Sequence, residues 1–183
     1  MWKFLVPMGA FLALAVLFAL GLNPNRDIRA LPSPLIGKAA PVFTLSVVED
    51  PARSFSNASL KGQVYVLNAF GTWCAPCREE QDTLLEIAKQ HVVPIVGLDY
   101  NDERPRAQRW LRELGNPYTE AAFDPDERVA IDWGVYGAPE TFLVDAHGVV
   151  IFKYISPMTL DVWQREFLPR IAAARAASPK DGA

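Results

Sequence analysis

The chain has two cysteines, and they stand three apart in Trp73-Cys74-Ala75-Pro76-Cys77, where an apolar run at 64–70 gives way to helical spacing. That placement suits a dithiol that trades electrons. A thiolate in the first turn of a helix faces unpaired backbone N–H groups and the positive end of the helix dipole, so Cys74 is expected to ionise more readily than a free cysteine. Cys77 falls on the same side of that turn and is placed to attack a mixed disulfide formed at Cys74.

Other uses of the pair fit less well. A zinc site takes about four ligands, and the two histidines, His91 and His147, have no partner spacing and read as solvated loop residues. Covalent haem attachment wants a histidine directly after the second cysteine, where this chain has Arg78. A peroxidase on the same architecture would place proline and threonine where Leu67 and Gly71 stand. A purely structural bridge is the serious alternative, but closing so short a loop removes little entropy from the unfolded chain. The inventory favours disulfide exchange with no cofactor and no metal.

The elements that must hold the pair read as an α/β fold. Residues 42–48 and 53–55 read as short strands, 64–70 as a buried central strand and 92–99 as another. Leu84, Leu85, Ile87 and Ala88 give 79–90 a helical stripe. For a second helix at 104–114, Asp102 offers a cap, Pro105 a first-turn proline and Gly115 a stop. Residues 141–145 and 149–154 flank a tight turn at Ala146-His147-Gly148. Thr159 opens a last helix that Pro169 is expected to kink or end, and 176–183 looks frayed. This order implies a mixed sheet flanked by helices, with the dithiol at the carboxyl end of a central strand, where sites on open α/β sheets collect.

Residues 4–22 carry no charge, enough at about 1.5 Å per residue to cross a hydrocarbon core. We expect an uncleaved membrane anchor at 1–23, a proline-containing tether at 24–35, one domain at 36–176 and a disordered tail at 177–183. Ala19-Leu20-Gly21 would also serve as a cleavage site, but a signal-peptide core is about 7 to 15 residues, shorter than this run. Three of the 18 basic residues and one of the 21 acidic ones lie in the first 30, leaving −5 on the remainder. That balance argues against nucleic acid as a partner.

The dithiol after an apolar strand, with a proline just before a later strand, resembles thioredoxin. Leu35-Ile-Gly-Lys38, Leu114-Gly-Asn-Pro-Tyr118 and the block from Gly134 through Ala138-Pro139-Glu140 to Leu143 resemble the CcmG/DsbE family, membrane-tethered thiol-disulfide oxidoreductases of cytochrome c maturation. The likeness covers the whole chain. It implies a thioredoxin-like domain on the periplasmic side of the inner membrane, with Pro139 as a cis-proline beside the dithiol and Ala138 pairing with the partner's backbone. It also implies apocytochrome c and its maturation proteins as partners, with electrons from a membrane thiol transporter.

Glu80, just past Cys77, and Glu140, just past Pro139, match acidic positions that the family places around its active site. A carboxylate there raises thiol pKa values by repulsion and can accept the proton that Cys77 must lose. Of the two, Glu140 is the favoured candidate, since Glu80 also reads as an exposed helix residue. Trp73 either shields the dithiol and meets partner peptides or packs into the core, and Tyr136 joins the same surface. Asn68, polar inside an apolar strand, either satisfies a buried backbone group or orders the site.

The expected function is protein-disulfide reduction. Centres near about −270 mV donate electrons to pairs near about −180 mV, the direction assigned here. A general extracytoplasmic reductase of another pathway and a non-enzymatic holding protein are the alternatives.

Overall fold

The computed structural model describes residues 2–21 and 33–177, and the chain divides into two units, Met1–Leu31 and Pro32–Ala183. In the first unit α1 (Trp2–Gly21) is a 20-residue helix with Pro7 inside it. Among the described residues no helix is long and apolar enough to cross a membrane, so the span expected at 4–22 is not shown. The tether expected at 24–35 lies outside the described residues as far as residue 32, and the tail expected at 177–183 does so beyond Ala177.

The second unit opens with β1 (Thr44–Ser46) and β2 (Ser54–Ser56), an antiparallel pair forming a small sheet of its own. The main sheet consists of β3 (Tyr65–Phe70), β4 (Ile95–Tyr100), β5 (Glu120–Asp124), β6 (Glu140–Val144) and β7 (Val150–Ile155). Their order is β5-β4-β3-β6-β7. β3, β4 and β5 run parallel, and β6 and β7 complete the sheet antiparallel. Helix α2 (Ala75–Lys89) joins β3 to β4, α3 (Arg104–Leu114) joins β4 to β5, and α4 (Arg128–Asp132) follows β5. The chain closes as α5 (Leu160–Val162), a π-helical turn (Trp163–Phe167) and α6 (Leu168–Ala177).

β3 is buried along its whole length, as a strand covered on both faces must be. Alternation sends Val66 and Phe70 toward a core shared with Leu84 and Ile87 of α2, Trp110 of α3 and the closing residues Trp163 and Phe167. Tyr65, Leu67 and Ala69 point the other way, into a core with Phe43, Phe55, Val129 and Trp133. The mixed, doubly covered sheet is therefore as the sequence implied.

Three details differ. β5 and α4 carry no sequence signal strong enough to place them: Glu120-Ala-Ala-Phe-Asp124 is poor in β-branched residues, and its strand form comes from pairing Gly97 with Ala121 and Leu98 with Ala122. Asp102 does not cap α3, whose N-cap is Glu103 without a side-chain bond. Pro169 does not end the last helix. It lacks the N–H an α-helix would use, and the preceding turn widens so that Leu168 N–H reaches Trp163 C=O, letting the helix continue to Ala177.

Candidate active site

Cys74 is the N-cap residue of α2, and its Sγ accepts the Cys77 backbone N–H at 3.1 Å. This is the helix-end setting the spacing implied. The two sulfurs form a disulfide with 5.3 Å between the Cα atoms, and both cysteines are almost entirely buried. The turn that delivers them runs from Gly71, whose carbonyl accepts the Cys74 N–H at 3.1 Å. A Cβ at Gly71 would lie 2.7 Å from Cε2 of Trp73, so a larger residue there would displace the indole.

Trp73 is not a core residue. It is 49 % exposed, standing edge-on to Tyr100 at 5.4 Å between ring centroids and donating from Nε1 to the Tyr100 carbonyl at 3.2 Å. Tyr136 is 65 % exposed. The Ala138–Pro139 peptide bond is cis, and half-buried Ala138 packs against the core that contains Cys74 and Cys77.

The structure separates the two carboxylates. Glu80, one turn beyond Cys77, is buried rather than exposed. One of its oxygens accepts from Asn68 Nδ2 at 2.9 Å and the other from the Met158 N–H at 2.5 Å. Burial pushes its pKa up to about 7, against the pull of those two donors. Asn68 is the hub: Nδ2 also donates to Thr141 Oγ1 at 3.1 Å, and Oδ1 accepts from Tyr118 Oη at 2.8 Å. It therefore orders the site rather than satisfying a backbone group.

Glu140 lies on the other face. Leu143 of β6 joins the core of the dithiol and Phe142 the opposite one, so alternation puts Glu140 with Phe142. Its carboxylate pairs with Lys153 Nζ at 2.8 Å, both side chains buried, and accepts the Tyr136 N–H at 3.1 Å. Lys153 also donates to the Gly134 carbonyl at 2.8 Å and lies 4.2 Å from the Tyr136 ring centroid. Glu140 thus braces the segment from Gly134 to Pro139 from behind, and Glu80 is the carboxyl on the Cys77 side.

No site role is legible in the sequence for Asp99, Tyr118, Lys153 or Thr141, and Asp102 reads there only as a cap for α3. Asp102 accepts Thr72 N–H at 2.5 Å and Thr72 Oγ1–H at 2.8 Å, fixing the turn two residues before Cys74. Asp99 is completely buried at the end of β4. The available signal was an acidic residue inside an apolar strand, the same anomaly as Asn68 in β3.

The redoxin family model matches residues 35–165. The thiol:disulfide interchange protein DsbE of Allochromatium vinosum is 43 % identical over 175 residues, 96 % of each chain. That of Pseudomonas aeruginosa is 44 % identical over 165 residues, 90 % of each. This chain belongs to the DsbE thiol:disulfide interchange proteins, within the redoxin family. A secreted thiol-disulfide isomerase from Corynebacterium glutamicum superposes with a TM-score of 0.61 at 26 % identity, over 68 % of this chain and 81 % of that one. A DsbE-type structure from Chlorobium tepidum superposes at 0.66 and 23 % identity, over 76 % and 96 %, and establishes the thioredoxin-like fold. Cys74 and Cys77 are the dithiol of a DsbE oxidoreductase.

Proposed function

We propose that this protein is a membrane-tethered periplasmic reductant of disulfides in apocytochrome c or its maturation partners. The observation that carries the chemistry is Cys74 Sγ at the head of α2, accepting the Cys77 N–H at 3.1 Å, because the donors at a helix end stabilise the attacking thiolate. In the reduced protein Cys74 thiolate attacks a partner disulfide, forming a mixed disulfide and releasing one partner thiolate. Cys77 then gives up its proton and attacks Cys74 Sγ, closing the Cys74–Cys77 bond and releasing the second partner thiolate. Two electrons pass to the partner, and a membrane thiol transporter restores the dithiol.

Glu80 is the proton acceptor for Cys77, and its negative charge disfavours the thiolate, which supports donation of electrons rather than their uptake. Trp73 and Tyr136 offer aromatic surface to the partner, and Ala138, ahead of Pro139, presents backbone to its extended chain. Glu140 acts from behind through Lys153. The uncharged run at 4–22 is what supports the tether.

A Cys77→Ser variant expressed in cells tests the reading, since it stalls at the mixed disulfide. Apocytochrome c or its maturation proteins should be recovered covalently bound to Cys74. Recovery of unrelated periplasmic proteins alone would assign the enzyme to another pathway, and retained activity in Cys74→Ser would make it a holding protein. Cutting after Ala30 should leave insulin reduction intact and slow turnover in the membrane, where the tether raises the effective concentration toward about millimolar.

A further inference from the structure

Asp99 is a buried ionisable group that the exchange chemistry leaves unused. It lies near the end of β4, in register with Phe70, the residue that leads into Gly71 and Thr72. Neither of its carboxyl oxygens meets a hydrogen-bond donor among the described residues. The group within hydrogen-bonding reach is the side chain of Asp102. Two carboxylates cannot bond, so one of them carries a proton.

The surroundings decide which. Asp102 is partly exposed and accepts three donors: Thr72 Oγ1–H and Glu103 N–H on Oδ1, at 2.8 and 2.7 Å, and Thr72 N–H on Oδ2 at 2.5 Å. Each donor favours the charged form. Asp99 is fully buried and meets no donor among the described residues. A carboxylate has about four acceptor positions, and the one left open on Asp102 is on Oδ2.

We propose that Asp99 is a positioning residue of the redox turn: as the neutral acid it donates to Asp102 and fixes the carboxylate that holds Thr72. The turn carrying Trp73 and Cys74 is thereby fastened to the centre of the sheet through Thr72, Asp102 and Asp99. The other charged or titratable groups around Asp99 are Arg104 of α3, Asp124 at the end of β5, and Tyr118, whose hydroxyl feels both Asp99 and Glu80. Arg104 favours ionisation, but its guanidinium is committed to Ser46 Oγ at 2.5 Å and to the carbonyls of Val47 and Val48. Asp102 and Asp124 oppose ionisation, and burial does so most, raising the pKa to about 9. Loss of the proton sets two carboxylates against each other and releases Thr72.

The test follows the Thr72 amide by NMR in the oxidised full-length protein, where neither cysteine titrates. From about pH 6 to about pH 10 the wild-type amide should shift with one ionisation near 9. In Asp99→Asn, whose amide donates the same bond without a titrating proton, that ionisation should be absent. Asp99→Ala, which removes the donor, should reduce insulin roughly tenfold more slowly at pH 7, the scale of one lost hydrogen bond to a charged group, and the asparagine variant should recover most of that rate. A wild-type Thr72 amide that does not titrate, or one that titrates identically in Asp99→Asn, overturns the proposal. The asparagine comparison stands even where the alanine variant does not fold.

Discussion

Glu80 titrates where the exchange must run. Its pKa of about 7 means that near neutrality it can take the proton Cys77 sheds as it attacks. Glu80→Gln should slow decay of the mixed disulfide by about 100-fold at pH 7, the scale of a lost general base, and remove the inflection near 7 from the pH profile. Stopped-flow decay with an unaltered profile would make Glu80 structural. The same shift bears on stability. Because the folded value exceeds the ordinary 4.5, folding takes up a proton, so the contribution is complete below about pH 4.5 and is lost as pH rises through 7. The Tm of Glu80→Gln should therefore fall less than that of the wild type between about pH 5 and about pH 8. Glu140 obeys a different rule, as half of a buried ion pair. Lys153→Met should cost about 3–5 kcal/mol by stranding its carboxylate, and adding Glu140→Gln should recover much of that loss in urea denaturation.

At the level of elements, the strands and helices with strong periodicity were legible, and so was the dithiol at their junction. β3 announced itself as an apolar run, α2 as a stripe, and the β6–β7 hairpin through its turn. β5 was not, because a five-residue segment with two alanines becomes a strand only by lying against β4. Burial of Glu80 was not legible either. It depends on Asn68 and the Met158 N–H, contributed from points 12 and 78 residues away, and no local pattern reports such a meeting. Gly97 on β4 belongs to the same network: a Cβ there would stand 2.7 Å from Tyr118 Cδ2 and 2.9 Å from Phe70 Cε1, rings that stack at 4.8 Å. Gly97→Ala should destabilise the domain by about 1–3 kcal/mol through overpacking. Because Tyr118 carries the bond to Asn68, the pH profile attributed to Glu80 should move as well, which a mutation elsewhere in the core would not cause.

Across the whole molecule the charge is −3, yet the surface beside the dithiol has the opposite sign. A cavity of about 260 Å³ opens between Thr72 of the redox turn, Arg78 directly after Cys77, and Arg106, Arg109 and Trp110 of α3, with Glu113 as its acidic member. Arg106 is already paired, with Glu103 at 3.2 Å, and Arg78 lies over the Trp110 ring at 5.8 Å. No ion pair engages Arg78 or Arg109 among the described residues. A net-acidic protein repels acidic partners at long range, whereas a local basic rim favours them at contact, and the second effect governs the encounter once separation falls within about 8 Å, the Debye length at physiological salt. Disulfide peptides with acidic residues flanking their cysteines should therefore be reduced with higher kcat/KM than basic ones at low ionic strength, by about two- to thirtyfold for one or two rim contacts of about 0.5–1 kcal/mol each. Added salt should erase the difference, because both arginines are exposed. Arg109→Glu should reverse the preference while leaving the Thr72 amide shift in place, since Arg109 has no bond to the redox turn. Equal kcat/KM for acidic and basic peptides at low salt would show that the rim does not select partners, and selection would then rest on the aromatic surface of Trp73 and Tyr136.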